Sequence, residues 1–131
     1  MLKITRKVEY ALIALNHLQQ QNDGDLCSAK EISKQYGIPQ ELLAKTLQKL
    51  ARVEIIEAVQ GSTGGYKLLV DPSTISMTHF FEILEGPVGI MDCYFDSGCR
   101  QLNTCNIRSP INKINDAIRN VFNNITLADL T

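Results

Sequence analysis

No run of apolar residues in this 131-residue chain lasts beyond a few positions, which is too short to cross a bilayer as a helix. The start, Met1-Leu2-Lys3-Ile4-Thr5-Arg6-Lys7, lacks the apolar stretch and small-residue cleavage site of a secretory signal. A cytoplasmic location is therefore expected. Three catalytic patterns are also missing: the G-x-S-x-G turn, the H-E-x-x-H helix and the G-x-x-x-x-G-K-[ST] loop. The glycine-rich stretch Gly61 to Gly65 has no lysine to serve a phosphate, so enzyme chemistry is not expected. Nor is there an excess of positive charge, with 13 Lys and Arg against 14 Asp and Glu and a net charge of −1. No internal repeat or low-complexity stretch occurs.

The chain does hold the material for a core. Apolar residues make up 44% and charged residues 21%, enough for one domain or a domain with an appendage. Charge is distributed unevenly. Residues 1–70 hold nine basic and seven acidic residues, net +2, whereas residues 71–131 hold four and seven, net −3. The first part is the more suited to a polyanion.

Local signals divide the chain into elements. Ile4, Val8, Ala11, Leu12, Leu15 and Leu18 recur at helical spacing behind a capping Thr5. Ser28-Ala29-Lys30-Glu31 is a capping box that starts a short helix, and Gly37 stops it. Pro39 suits the first turn of the next helix, which runs to about Arg52 with Leu42, Leu43, Leu47 and Leu50 inward. Two helices about so short a turn predict a helix-turn-helix. Ile55, Ile56 and Val59, then Tyr66, Leu68 and Val70, predict a hairpin around Gly61-Ser62-Thr63-Gly64-Gly65. A hairpin directly after a helix-turn-helix is a winged helix. Ser76 caps a helix over Met77 to Glu85 that Gly86-Pro87 breaks. From Ser109-Pro110 a long helix carries Ile111, Ile114, Ile118, Val121 and Ile125 at 3, 4, 3, 4 spacing, a seam suited to a dimer. Thr126 begins a short closing turn. The fold class expected is mainly α with a small β-hairpin, a winged helix-turn-helix plus a long C-terminal dimerisation helix. The divisions are 1–75, 76–108 and 109–131.

Cysteine supplies the chemistry. Cys93, Cys99 and Cys105 form a C-x5-C-x5-C array in the stretch 86–108, which lacks usable periodicity. Reduced thiols on one loop suit a soft metal centre. Their spacing differs from the C-x2-C pairs of zinc ribbons, and the larger iron–sulfur cluster fits it better. The alternative is three unrelated cysteines, or a redox pair with a spare. Cys27 stands apart as a small buried filler, and His17 and His79 lack a second histidine at ligand spacing.

Five segments in order carry a family resemblance: Ile4-Thr5-Arg6-Lys7-Val8-Glu9-Tyr10-Ala11, Gly37-Ile38, Gly61-Ser62-Thr63-Gly64-Gly65-Tyr66, the C-x5-C-x5-C loop and Asn123-Asn124-Ile125-Thr126-Leu127. Together they resemble the bacterial winged-helix iron–sulfur transcription regulators, the family that includes IscR and NsrR. The resemblance covers nearly the whole chain. It implies a homodimer whose grip on double-stranded DNA depends on an iron–sulfur cluster (4Fe–4S preferred, 2Fe–2S the alternative), with Cys93, Cys99 and Cys105 as ligands. The histidine that completes the IscR set falls here on Arg108, a permanent cation that cannot ligate. In the NsrR branch an acidic residue of the partner's first helix takes that role, and the matching residue is Glu9. Glu9 is equally read as an acid favoured by the helix dipole. Asp92, Asp96, His79 or a small external molecule are other choices.

For DNA, Gln40, Glu41, Ala44, Lys45, Gln48 and Lys49 occupy the wet face of the recognition helix, where amides and cations read base edges. Lys30, Lys34 and Arg52 suit phosphates, and Ser62, Thr63, Gly64 and Gly65 form a wing tip able to approach a backbone closely. These positions also read as ordinary solvated faces, since residues 28–67 net only +2. The expectation is a repressor that senses nitric oxide, redox or iron–sulfur status. A cluster-free thiol or zinc sensor, or a protein-interaction module on the same fold, are the alternatives.

Overall fold

Thr5 holds an extended backbone and turns its hydroxyl onto the Val8 N–H, 3.3 Å away, satisfying one of the free donors of a helix's first turn. In the computed structural model, which describes residues 3–90 and 103–130, helix α1 (Arg6–Gln19) follows directly. It buries Val8, Ala11, Ala14, Leu15 and Leu18. Two expected members of this stripe lie outside it. Ile4 precedes the cap, so it does not share the helix face and remains 59% exposed. Leu12 sits half-buried at the edge, and the smaller Ala14 is fully inside.

Helices α2 (Ala29–Tyr36) and α3 (Gln40–Arg52) form the helix-turn-helix. Ser28 accepts from the Glu31 N–H at 3.1 Å, and Gly37 ends α2 at φ 67°, ψ 34°, a left-handed conformation that a side chain would strain. Pro39 stands one residue before α3 rather than within its first turn, and its carbonyl takes the Leu43 N–H at 3.1 Å. Leu43, Leu47 and Leu50 are buried as expected, and each contributes about 1.5–3 kcal/mol by leaving water. Leu42 is only half-buried. Thr46 is the buried residue in its stead, and its hydroxyl donates to the Leu42 carbonyl at 2.9 Å, so no polar group is stranded.

Strands β1 (Ile56–Val59) and β2 (Gly65–Leu68) pair antiparallel, with Ile56 opposite Leu68 and Val59 opposite Gly65. The far edge of β2 is bridged by one residue. The Tyr66 N–H donates to the Cys27 carbonyl at 2.8 Å, and the Cys27 N–H returns a bond of 3.1 Å to the Tyr66 carbonyl. The chain entering α2 is thereby tied to the wing, which completes a winged helix-turn-helix within the compact unit Lys3–Asp71.

A second unit, Pro72–Leu130, opens with a 3-10 turn and then α4 (Met77–Glu85). Ser76 caps α4 by accepting from the His79 N–H at 3.1 Å, and Gly86 ends it. Helix α5 (Arg108–Asn123) starts one residue ahead of the expected Ser109 cap. Its cap position is Ile107, with no side-chain hydrogen bond, so Ser109 and Pro110 lie inside the first turn, where a missing N–H costs nothing. The helix also ends before Ile125. There the backbone pairs with the segment before α4: Met77 N–H to Ile125 carbonyl at 2.8 Å, Leu127 N–H to Ile75 carbonyl at 3.0 Å. A closing 3-10 turn, Leu127–Leu130, is held by the Asp129 carboxylate, which accepts from the Thr126 N–H at 2.9 Å.

The two units differ in their cores. Among the described residues, thirteen apolar side chains are buried in the first, and four in the second: Met77, Phe80, Leu84 and Leu127. Helix α5 buries one residue, and it is polar, Asn115. No described helix is long and apolar enough to cross a membrane.

Candidate functional site

The exposed face of α3 follows from how the helix is wedged. Ile32 and Ile38 are buried on either side of the turn, and the Ser33 hydroxyl donates to the Ile38 carbonyl, which fixes the angle at which the chain leaves α2. With Leu43, Leu47 and Leu50 inward, Gln40, Glu41, Lys45 and Gln48 are exposed and Ala44 and Lys49 half-buried. All six residues expected on the wet face are on it. Lys30 is exposed on α2.

At the wing, Ser62 and Thr63 are exposed at the tip and the Gly64 N–H closes the turn onto the Gly61 carbonyl at 3.1 Å. The glycines serve the wing's own geometry. A Cβ on Gly64 would lie 2.1 Å from the Val59 carbonyl oxygen, and one on Gly65 would lie 2.9 Å from the Cys27 backbone. Gly64→Ala is accordingly expected to destabilise the chain by about 1–3 kcal/mol, readable as a lowered urea midpoint. An unchanged midpoint would show that the turn is looser than this. Between the wing and the start of α2 lies a cavity of about 230 Å³ lined by Ser28, Ala29, Val59, Gly61 and Tyr66. Lys67 is engaged by Glu57 across the hairpin at 3.5 Å, an exposed pair of little energetic weight.

Glu9 lies in the first turn of α1, where its carboxylate meets the Arg6 guanidinium at 2.9 Å on the surface. His17, in the last turn of the same helix, shares a 2.8 Å hydrogen bond with the Tyr36 hydroxyl, and their rings meet edge to face. His79 is exposed. Cys27 is 5% exposed. Burial pushes its thiol pKa up, and the nearby Glu31 and Asp25 carboxylates push it further, so little thiolate forms near neutral pH.

Of the cysteine array, Cys105 carries a free, half-buried thiol. Cys93 and Cys99, like Asp92 and Asp96, lie outside the described residues. The approach to the array is described as far as Ile90. The Ile90 N–H donates to Asn115 Oδ1 at 2.7 Å, and Arg119, one turn along α5, donates to the Val88 carbonyl and to Glu82, both at 3.0 Å. The Thr78 hydroxyl and an edge-on Phe81–Phe122 contact (ring centroids 5.0 Å apart) hold the two helices together. The opposite balance holds on the neighbouring stripe of α5, where Ile114 is 48% and Val121 57% exposed, with Ile111 and Ile118 half-buried. The roles of Asn115 and Arg119 escaped sequence reasoning. A helical stripe of Asn112, Asn115 and Arg119 reads as a solvated face unless the loop it grips is known.

Comparison with known proteins adds the following. Residues 4–131 match the family described as Rrf2, iron-dependent transcriptional regulator. The chain is 28% identical over 132 residues to the HTH-type transcriptional regulator NsrR of Bacillus subtilis (strain 168), covering 98% of this chain and 90% of that one. Among solved structures it is similar to CymR, the global cysteine regulator of B. subtilis, at 25% identity and a TM-score of 0.75, over 99% of this chain and 96% of the other. It is also similar to IscR of T. potens, at 26% identity and a TM-score of 0.72, over 98% and 85%.

Proposed function

Because the chain belongs to the Rrf2 family of transcription regulators, we propose that it is a cytoplasmic, homodimeric repressor whose DNA affinity is set by an iron–sulfur cluster. It works by binding rather than by catalysis. The α3 residues Gln40, Glu41, Ala44, Lys45, Gln48 and Lys49 enter the major groove, Lys30 meets phosphate, and Ser62, Thr63, Gly64 and Gly65 of the wing lie along the backbone. Two copies joined through Ile111, Ile114, Ile118 and Val121, with Ile125 beside the helix end, engage half-sites roughly one helical turn, about 34 Å, apart.

Cys93, Cys99 and Cys105 hold the cluster, with the partner's Glu9 as fourth ligand of a 4Fe–4S centre. Three soft thiols at wide spacing fit such a group, and Cys105 carries a free, half-buried thiol. Arg108 keeps its charge and stays out of the ligand set. When bound, the cluster supplies a centre that reacts with nitric oxide or oxidants. The observation that carries the reading is the pair of hydrogen bonds from the loop's leading edge to α5, which joins the cysteine segment to the helix suited to dimerisation.

The test compares oxygen-protected protein with the same protein stripped of iron in DNA titrations. Affinities are expected to differ by about tenfold or more, and equal affinities on the cognate operator would refute the switch. Lys45→Ala combined with Lys49→Ala is expected to weaken DNA binding about tenfold to hundredfold and to flatten its salt dependence. Binding unchanged by that pair would favour a protein-interaction role. One further reading draws on the likeness to a regulator named for cysteine, in which the same thiols respond without iron. Iron and sulfide quantification separates the two.

A further inference from the structure

Helix α5 is built the wrong way round for a helix that merely packs on its own chain. Its one fully buried residue is Asn115, while the branched side chains Ile114 and Val121 face solvent. The Asn115 side chain is oriented by the Ile90 N–H, which only its Oδ1 can accept. Its Nδ2 is left buried and without a partner among the described residues, as is Asn112 Oδ1 one turn earlier. An apolar residue of the same size would avoid that penalty, so packing alone does not account for asparagine here. Arg119 extends the same grip, fixing the Val88 carbonyl with one nitrogen and Glu82 of α4 with another. The Ile90 and Val88 bonds fasten residues 88–90 to the middle of α5, ending three positions before Cys93, and the Glu82 bond anchors Arg119 to α4.

We propose that Asn115 and Arg119 form a clasp that relays the state of the cysteine loop to the dimerisation helix. They are positioning residues, touching neither iron nor DNA. The inference rests on the cluster reading above. Because the Ile90 and Val88 bonds lie on the polar stripe and the dimer seam on the stripe beside it, a pull on residues 88–90 turns α5 about its axis. That rotation changes the seam and with it the spacing of the two recognition helices.

The experiment uses the full chain carrying Asn115→Leu, which keeps the volume and removes the acceptor, Asn115→Asp, which keeps the acceptor, and Arg119→Gln. All three are expected to load iron and sulfide as the native chain does. The ratio of DNA affinities with and without iron, about tenfold or more in the native chain, is expected to shrink to within about twofold in Asn115→Leu and Arg119→Gln and to be retained in Asn115→Asp. Amide hydrogen exchange at Ile90 in the iron-free protein is expected to quicken by about tenfold or more in Asn115→Leu alone. An intact native ratio with unaltered variants overturns the clasp and leaves the cluster reading standing. A native chain with no ratio overturns that reading and the clasp with it. Should Asn115→Leu fail to fold, Arg119→Gln decides, since its side chain is about a quarter exposed. Loss of iron in that variant would also overturn the relay, because Arg119 would then be building the metal site.

Discussion

Serine in place of any one of Cys93, Cys99 or Cys105 is expected to yield protein with almost no iron or acid-labile sulfide, even when purified without oxygen. Its DNA affinity should be fixed at the iron-free value and blind to nitric oxide. The effect is large because serine differs from cysteine in the one property that matters. A hydroxyl is a hard donor that stays protonated near neutral pH, whereas a thiol yields a soft, polarisable thiolate suited to iron–sulfur centres. With three cysteines and one weaker ligand, the loss of one thiolate leaves only two soft donors to hold the centre. Cys27→Ser is the matched control. That thiol is buried with its pKa pushed up, so its removal is expected to cost some stability and no iron. Glu9→Ala is expected to shorten the lifetime of the cluster without abolishing it, since Glu9 supplies one ligand of four. An unaltered spectrum and lifetime would remove Glu9 from the set. Full iron content in the cysteine variants would end the cluster reading itself.

The parts of the fold legible in the sequence are those written in local hydrogen bonds. Thr5, Ser28 and Ser76 each cap a helix by accepting from the N–H three residues on, and Gly37 ends one in a left-handed turn. Each signal lies within four residues of its effect, so one chain suffices to read it. Failures appear where the partner is distant. Ser109-Pro110 reads as a cap, yet α5 begins earlier, since a proline is tolerated anywhere in the first turn and does not mark which residue comes first. Periodicity located the apolar stripe of α5 but not its end. Ile125 continues the spacing, while its carbonyl is claimed by Met77 from 48 positions away in sequence, which no local pattern encodes. Size alone marks Cys27 as a filler. That its backbone bridges Tyr66 and leaves no room for a side chain at Gly65 required the fold. The exposed face of α3 was legible because the helix is strongly amphipathic and its buried leucines fix the rest. Spacing groups Cys93, Cys99 and Cys105 as candidate ligands, and a ligand drawn from a second copy would leave no mark on the order of residues in the first.

Ile114→Asp combined with Val121→Asp is expected to convert the protein from dimer to monomer and to lower its affinity for a two-half-site operator by about a hundredfold or more. The unit Pro72–Leu130 buries only four apolar side chains among its described residues, a thin core for a segment that length. The same unit exposes branched side chains along α5. In a two-fold dimer each seam residue is buried twice, once from each copy. At about 1.5–3 kcal/mol per fully covered side chain, Ile114 and Val121 alone then contribute several kcal/mol to association. Aspartate reverses this, because four carboxylates would meet in a seam with no described cation on that stripe to pair them. Both positions are exposed within the chain, so the variant is expected to keep its melting behaviour at high dilution and lose only its self-association. DNA binding falls because a dimer closes its second half-site at a high effective concentration, and a monomer must bind each site separately. Light scattering reports the oligomeric state and fluorescence anisotropy the affinity. A variant that still sediments as a dimer and binds its operator as before would place the dimer contact elsewhere. The cysteine loop would then lose its route to the recognition helices.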